Sequence, residues 1–284
     1  MSLIQAIILG IVQGLTEFIP ISSTAHLVLA SRAMNQSLTA EQLTAAIAVI
    51  QLGTLVAVII YFARDIWRIG RAFIFDHLAL LTKRGDGARL SHEAWLGWLV
   101  IIGSLPVGIV GLLFKHQIEG AFTKNLWVIA TMMVVIAVLL AIAEAVSKKR
   151  RGMNELGLWD AIVVGFAQCL ALIPGSSRSG STIMAGLFAG ETRETAARFS
   201  FLLSMPAIAA SGLLELKQAL HILPHDIFLT LMFGTVISGI VGYLSIWFLL
   251  RYLRTHTTGI FIGYRILVGG AILIALYLGK LSAL

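Results

Sequence analysis

Charge is scarce in this chain. Its 284 residues include 14 Asp and Glu and 21 Lys and Arg, together 12% of the sequence. A soluble globular domain carries about 25% charged residues, because its exterior must face water. With 58% hydrophobic residues and a mean hydropathy of +0.92, the exterior is suited to lipid instead. The same figures exclude disorder, collagen-like repeats and a disulfide scaffold. Cys169 is the single cysteine, so no intramolecular bridge can form and the redox compartment is not indicated. A basic region before the first apolar stretch is also missing, and that stretch carries Gln5, Gln13 and Glu17. A cleaved secretory signal is therefore not expected, and the N-terminus should be retained. What remains is a polytopic membrane protein. Its formal charge of +7 then points to loops that record orientation, not to a nucleic-acid partner.

Six apolar runs, at approximately 44–63, 95–114, 126–146, 199–216, 227–250 and 258–279, are long enough to cross a membrane. A hydrocarbon core of ~30 Å takes about 20 helical residues. Two further apolar regions, 3–30 and 158–190, are each interrupted by a proline and a polar cluster, Pro20 to His26 and Pro174 to Gly180. Non-helical backbone at membrane depth survives only when buried in protein or lining a cavity. Both regions are expected to be broken, re-entrant helix pairs.

The interruptions resemble each other. Leu9 to Leu15 parallels Val164 to Leu170, and with one residue deleted Ile19-Pro20-Ile21-Ser22-Ser23 matches Ile173-Pro174-Gly175-Ser176-Ser177. A weaker echo relates Gly103 and Gly108 to Gly111 with Gly234 and Gly239 to Gly242. Each half then holds one broken segment and three spans. The whole is one integral membrane domain, residues 1–284, with halves at approximately 1–147 and 155–284 and a basic linker at 148–154. If the broken segments re-enter, loops 64–94, 147–157, 191–198 and 251–257 carry 14 Lys and Arg on the cytoplasmic side, against 5 outside. If they span, the balance falls to 12 against 7. Positive residues favour the cytoplasm, so re-entry is preferred. An odd number of spans per half inverts the second half relative to the first, which lets the two polar clusters meet near the midplane. The expected fold is all-α, with six transmembrane helices, two re-entrant broken pairs and an inverted-topology repeat.

Only Arg178 and Arg265 lie within apolar segments. An arginine at the bilayer centre costs about 2.5–3.5 kcal/mol on insertion scales, so it needs a partner or an anion. Arg265, near the start of its span, reads as a snorkelling interfacial side chain. Arg178, among serines in a broken segment, reads as functional. The first cluster offers Gln13 and Glu17 on one helical face, then Ser22, Ser23, Thr24 and His26; the second offers Gly175, Ser176, Ser177, Arg178 and Ser179. Broken helices present free N–H groups and a positive dipole end to an anion, and a guanidinium fork suits phosphate. Glu17 would repel a bare phosphate, which implies a metal ion, a proton donor or a general base. His26, one turn after Ser23, could serve as its base or protonate a leaving group. Blander readings stand beside these. Serines in apolar helices often bond back to a carbonyl of the preceding turn, Glu17 and His26 could form a structural pair, and Gln168 is read as a hydrogen-bond partner between repeats. Glu144 and Glu215 are read as interfacial, and the segment with Trp67, Arg68, Arg71, Phe73 and Phe75 as an amphipathic surface helix.

The series Gln13-x-x-x-Glu17-Phe18-Ile19-Pro20-Ile21-Ser22-Ser23-Thr24-Ala25-His26, followed by Pro174-Gly175-Ser176-Ser177-Arg178-Ser179-Gly180, resembles the signature of bacterial undecaprenyl-diphosphate phosphatases, also called bacitracin-resistance proteins. Motif spacing and length are similar over essentially the whole chain. The resemblance implies a multi-pass enzyme of the bacterial inner membrane that converts undecaprenyl diphosphate to undecaprenyl phosphate, recycling the lipid carrier of cell-wall synthesis. It further implies a divalent cation, Mg²⁺ or Ca²⁺, and a site open toward the periplasm. Many members carry Glu where this chain has Gln13, so Glu17 becomes the principal acid and Gln13 a ligand through its carbonyl. On this basis Glu17, Ser23, His26 and Arg178 are the expected catalytic residues. Ser22, Thr24, Gly175, Ser176, Ser177 and Ser179 are the expected substrate contacts, and Glu17 with Gln13 the metal ligands. Ser23 is the favoured nucleophile, with direct attack by His26 or by water as alternatives. The expected partners are the polyprenyl diphosphate lipid and the membrane, with no nucleic acid and with room for a homodimer. Two rival classes are a transporter or flippase of an anionic lipid, which needs no Ser/His pair, and an intramembrane serine protease, which leaves Arg178 unexplained.

Overall fold

The computed structural model describes residues 1–34, 38–82, 90–114 and 125–283, so Lys83, Arg84, Arg89, Lys115 and Lys124 of the charge balance lie outside the described residues. The described chain is helical, with a lone β-bridge between Arg151 and Glu191. Eleven α-helices follow one another: α1 (Leu3–Phe18), α2 (Ser23–Ala33), α3 (Ala40–Tyr61), α4 (Ala63–Leu81), α5 (His92–Leu113), α6 (Leu126–Val146), α7 (Leu158–Cys169), α8 (Arg178–Phe188), α9 (Arg193–Ile222), α10 (Phe228–Leu253) and α11 (Gly259–Tyr277). Side-chain caps mark many of the starts. Ser91 caps α5, Asn125 caps α6, and Thr39 with Gln42 forms a reciprocal box at α3. Six helices, α3, α5, α6, α9, α10 and α11, are long and apolar enough to cross a membrane, at the positions where the six apolar runs were expected.

The remaining apolar helices come in two short pairs. At 1.5 Å per residue, the 16 residues of α1 and the 11 of α2 would each extend only about 24 and 16 Å, too little to span. Instead α2 packs back on α1, and α8 on α7. The pairs open toward opposite ends of the bundle. Arg32, in the last turn of α2, donates to the Ser282 carbonyl beyond α11, at the end where Leu126 begins α6. The far end of α8 meets the linker, where Arg151 donates to the Ala189 carbonyl. That second end is the basic one. Lys149 and Arg193 both pair with Glu144, Arg151 with Asp160, Arg198 with Asp65, and Arg254 with Glu194. Glu144, expected at an interface, thus ties α6 to α9 and also accepts from the Thr258 hydroxyl before α11.

The two halves interlock. Helix α1 lies on α10 of the other half, and α7 lies on α5 of the first. Both contacts are made backbone to backbone through glycine. A methyl at Gly10 would come within 2.3 Å of the Gly234 carbonyl oxygen, and one at Gly165 within 2.5 Å of that of Gly103. Gly103 and Gly234 are the residues of the weaker sequence echo, so that echo marks two equivalent crossings. The spans α3 and α9 pack against each other at the centre, and α6 against α11 at the side. Helix α4 has no buried residue, with Trp67, Ile74 and Phe75 exposed and Arg71 lying over the Phe75 ring. It is the amphipathic surface helix that the sequence suggests.

Candidate active site

The site forms where both broken pairs turn. In the first, α1 ends at Phe18 and Pro20 supplies no N–H, so the helix cannot continue. The chain then turns through Ser22, whose φ is +78°, and Ser22 Oγ accepts the Ala25 N–H to start α2 at Ser23. In the second, the chain turns through Gly175 (φ +90°) and Ser177 (φ +67°), and Ser177 Oγ accepts the Gly180 N–H to start α8 at Arg178. Positive φ at a non-glycine residue is costly and concentrates at functional sites. Its presence at matching caps shows that Ser22 and Ser177 are equivalent. The sequence alignment, which set Ser22 against Ser176, is corrected here: the second turn holds one residue more before its cap, which restores the spacing lost by the deletion. Ser23 therefore corresponds to Arg178, and His26 to Ser181.

Three of the expected site residues, Gln13, Glu17 and Arg178, meet across the repeats. Arg178 Nη2 donates to Glu17 Oε1 at 2.8 Å, and Gln13 Nε2 donates to Glu17 Oε2 at 2.9 Å. Glu17 and Gln13 are buried and the Arg178 side chain is only 12% exposed, so the ion pair is screened little by solvent. Four polar groups of the second broken pair are buried without a hydrogen-bond partner among the described residues: Arg178 Nη1, Ser176 Oγ, Ser181 Oγ and the Gln168 amide. Buried polar atoms are rarely left orphaned, and a functional site is one reason for exceptions. Gln168, expected to bond between the repeats, does not do so. Ser179 Oγ shares a hydrogen bond with Ser177 Oγ at 3.2 Å, while Thr24 is exposed.

His26 is held by residues that the motifs do not contain. Its Nδ1 lies 2.7 Å from the Ser22 carbonyl oxygen, which can only accept, so Nδ1 carries the proton in the neutral ring. Nε2 is then the free base, and it lies 2.7 Å from the Tyr264 hydroxyl, with the two rings stacked at 14°. Both ring nitrogens are thus engaged, neither by Ser23. Arg265, the next residue on α11, overturns its reading as a snorkelling side chain. It is fully buried and hydrogen-bonds the carbonyls of Pro20, Gly175, Ser176, Met132 and Met133. A glycine-flanked Tyr-Arg pair inside a span was the available signal for both residues.

The arrangement offers an anion two helix N-termini and an arginine with a spare donor, with His26 in the first turn of α2, its Nε2 on the Tyr264 hydroxyl. The model for the bacitracin resistance protein BacA family matches residues 6–271. The chain belongs to this family. Among curated members, an undecaprenyl-diphosphatase of Syntrophobacter fumaroxidans is 51% identical over 96% of this chain and 97% of its own. Those of Chloroherpeton thalassium and Mycolicibacterium gilvum are 48% and 45% identical, each over the full length of both chains. A divalent cation, implied by the BacA resemblance, must fit the donors present. Among the described residues no three His, Cys, Asp or Glu cluster. Glu17 and Gln13 offer one carboxylate and one amide carbonyl, a donor set that would suit Mg²⁺ with water and substrate phosphate completing its shell. For this the Glu17 oxygens must release Arg178 and the Gln13 amide N–H that occupy them.

Proposed function

We propose that the protein hydrolyses undecaprenyl diphosphate to undecaprenyl phosphate and inorganic phosphate, from the periplasmic side of the bacterial inner membrane. The observation that carries this reading is the Glu17–Arg178 pair, which joins the two repeats between two helix N-termini. In this reading the polyprenyl tail stays in lipid and only the diphosphate reaches the turns. Arg178 Nη1 and the N–H groups opening α2 and α8 hold the terminal phosphate and balance charge on its equatorial oxygens. Positioning and electrostatics of this kind supply most of the catalysis in phosphoryl transfer. Glu17 and Gln13 would hold the divalent cation, which would neutralise diphosphate charge.

Ser23 Oγ attacks the terminal phosphorus, and the bond from that phosphorus to the bridging oxygen breaks, releasing undecaprenyl phosphate. His26 Nε2 takes the serine proton and passes it, as general acid, to the bridging oxygen of the departing undecaprenyl phosphate. The neutral imidazole then takes a proton from the water that cleaves the phosphoserine, releasing inorganic phosphate. For this Nε2 must leave the Tyr264 hydroxyl. Its engagement there, and not with Ser23, supports a second reading in which His26 activates water for direct attack. Purified protein in detergent, given undecaprenyl or farnesyl diphosphate with Mg²⁺ or Ca²⁺, should release inorganic phosphate. No release with any divalent cation would overturn the proposal.

A further inference from the structure

Arg265 is fully buried. Its guanidinium makes its hydrogen bonds to main-chain carbonyls, and none of the ion pairs among the described residues includes it. A buried positive charge without an acid is expensive unless something offsets it. The distribution of its donors is informative. Nη1 reaches the Pro20 carbonyl oxygen at 3.2 Å, in the turn before α2. Nη2 reaches those of Gly175 and Ser176 at 2.9 and 3.1 Å, in the turn before α8. Nε is anchored on the Met133 carbonyl of α6 at 3.1 Å. One planar group therefore fixes both turns to each other and to a span.

Those turns deliver Ser23 and Arg178, the first residues of α2 and α8. Any change in the spacing between the Pro20 and Gly175 carbonyls moves one relative to the other. The guanidinium also lies against Gly180, where a methyl would come 3.3 Å from Nη1 and 3.2 Å from Ser177 Cβ. The glycine closing the second motif thus leaves room for Arg265 to sit beneath the start of α8. Its charge lies below the region into which two helix N-termini already point, and a bound diphosphate would supply the missing anion.

We propose that Arg265 is a positioning residue for diphosphate hydrolysis: it sets the distance between the two anion-facing turns and adds its charge beneath them. The inference rests on the phosphatase reading above. Lysine keeps the charge but cannot reach both turns with a planar fork. The variants are Arg265→Lys, Arg265→Ala and Gly180→Ala, the last pressing on the guanidinium while leaving it in place. Each is assayed in detergent for phosphate release from farnesyl diphosphate, with thermal midpoint and gel-filtration profile measured on the same sample. Misplacing reacting groups by about 1 Å can cost on the order of 100-fold in rate. Arg265→Lys should therefore lose about that much in kcat, with KM changed less than about threefold and a folded, monodisperse profile. Gly180→Ala should show the same kcat-weighted loss in milder form.

Retention of at least half the wild-type kcat by Arg265→Lys would overturn the proposal. So would a loss that merely follows the unfolded fraction across all three variants, since a purely structural arginine would behave that way. An inactive wild type instead overturns the phosphatase reading itself, so the two failures are distinguishable.

Discussion

The two broken pairs share a backbone plan and differ in chemistry. At equivalent positions the first carries Ser23 and the second Arg178, the first His26 and the second Ser181, the first Glu17 and the second Leu172. The groups that can move protons sit in the first repeat, while the second supplies a cation and small hydroxyls. Burial separates the helices that follow more than the turns themselves, since Ser23 and Arg178 are both partly open and Glu17 is buried. Residues 179–187 of α8 are all buried, whereas Ser23 and His26 are partly open and Thr24 is exposed. On the proposed reading the second turn is the phosphate cradle and the first the working face. An imidazole buried as deeply as Ser181 would lose the solvent and substrate contact that proton transfer needs. The shared positive φ at Ser22 and Ser177 is what both turns need to aim a helix N-terminus inward, so it persists in each.

The sharpest way to break this division is Ser23→Ala. If the first repeat supplies the nucleophile, kcat falls by on the order of 10⁴-fold and no phosphoenzyme can be trapped. Retained turnover would transfer attack to a water activated by His26. Next comes the cradle. Arg178→Lys should lower kcat/KM by about 10²–10³-fold, because one preorganised donor to the phosphate is removed. Truncation to alanine is a poorer test. It leaves Glu17 as an unpaired buried charge, and such losses typically cost about 3–5 kcal/mol of stability. Removing the divalent cation with a chelator should abolish turnover reversibly, and activity that survives would detach Glu17 and Gln13 from metal binding.

Smaller effects refine the comparison. Tyr264→Phe keeps the ring stacked on His26 but removes the hydroxyl, and a drop of about tenfold in kcat with an unchanged thermal midpoint is expected. No change in kcat would leave the hydrogen bond without a role in turnover. The last prediction concerns the basic end beyond α8. Burial, reinforced by nearby Asp160, pushes the Glu191 carboxyl up to about 8, with both oxygens lacking a partner among the described residues. A raised carboxyl binds its proton more tightly when folded. Its contribution to stability is present below the unfolded value of 4.5 and is lost as pH rises toward 8. Glu191→Gln should therefore raise the thermal midpoint at pH 8 by a few degrees and hardly change it at pH 5, while equal shifts at both would remove the titration from the account.

Hydropathy is a local property, and it located five of the six spans to within about four residues, including α6 at 126–146, whereas α9 runs six residues beyond the expected 199–216 at each end. The breaks were visible because proline and serine clusters are incompatible with a lipid-facing helix. Glu17 and Arg178 stood out for the same reason, although their direct contact did not. What stayed hidden depends on groups far apart in sequence. Arg265 lies 245 residues from Pro20, so nothing near it distinguishes a carbonyl clamp from a snorkelling side chain. Tyr264 was indistinguishable from an aromatic at the membrane boundary. The repeat register slipped because a deletion and an insertion fall within a few residues of each other, and only the matching positive φ values identify Ser22 with Ser177.

The glycine crossings of Gly10 on Gly234 and Gly165 on Gly103 carry a consequence for dissecting the chain. Each broken hairpin rests on a span contributed by the opposite half, so one half alone would leave its hairpin uncovered in the membrane. The two halves are obligate floors for each other, and cutting the linker would not yield two self-sufficient pieces.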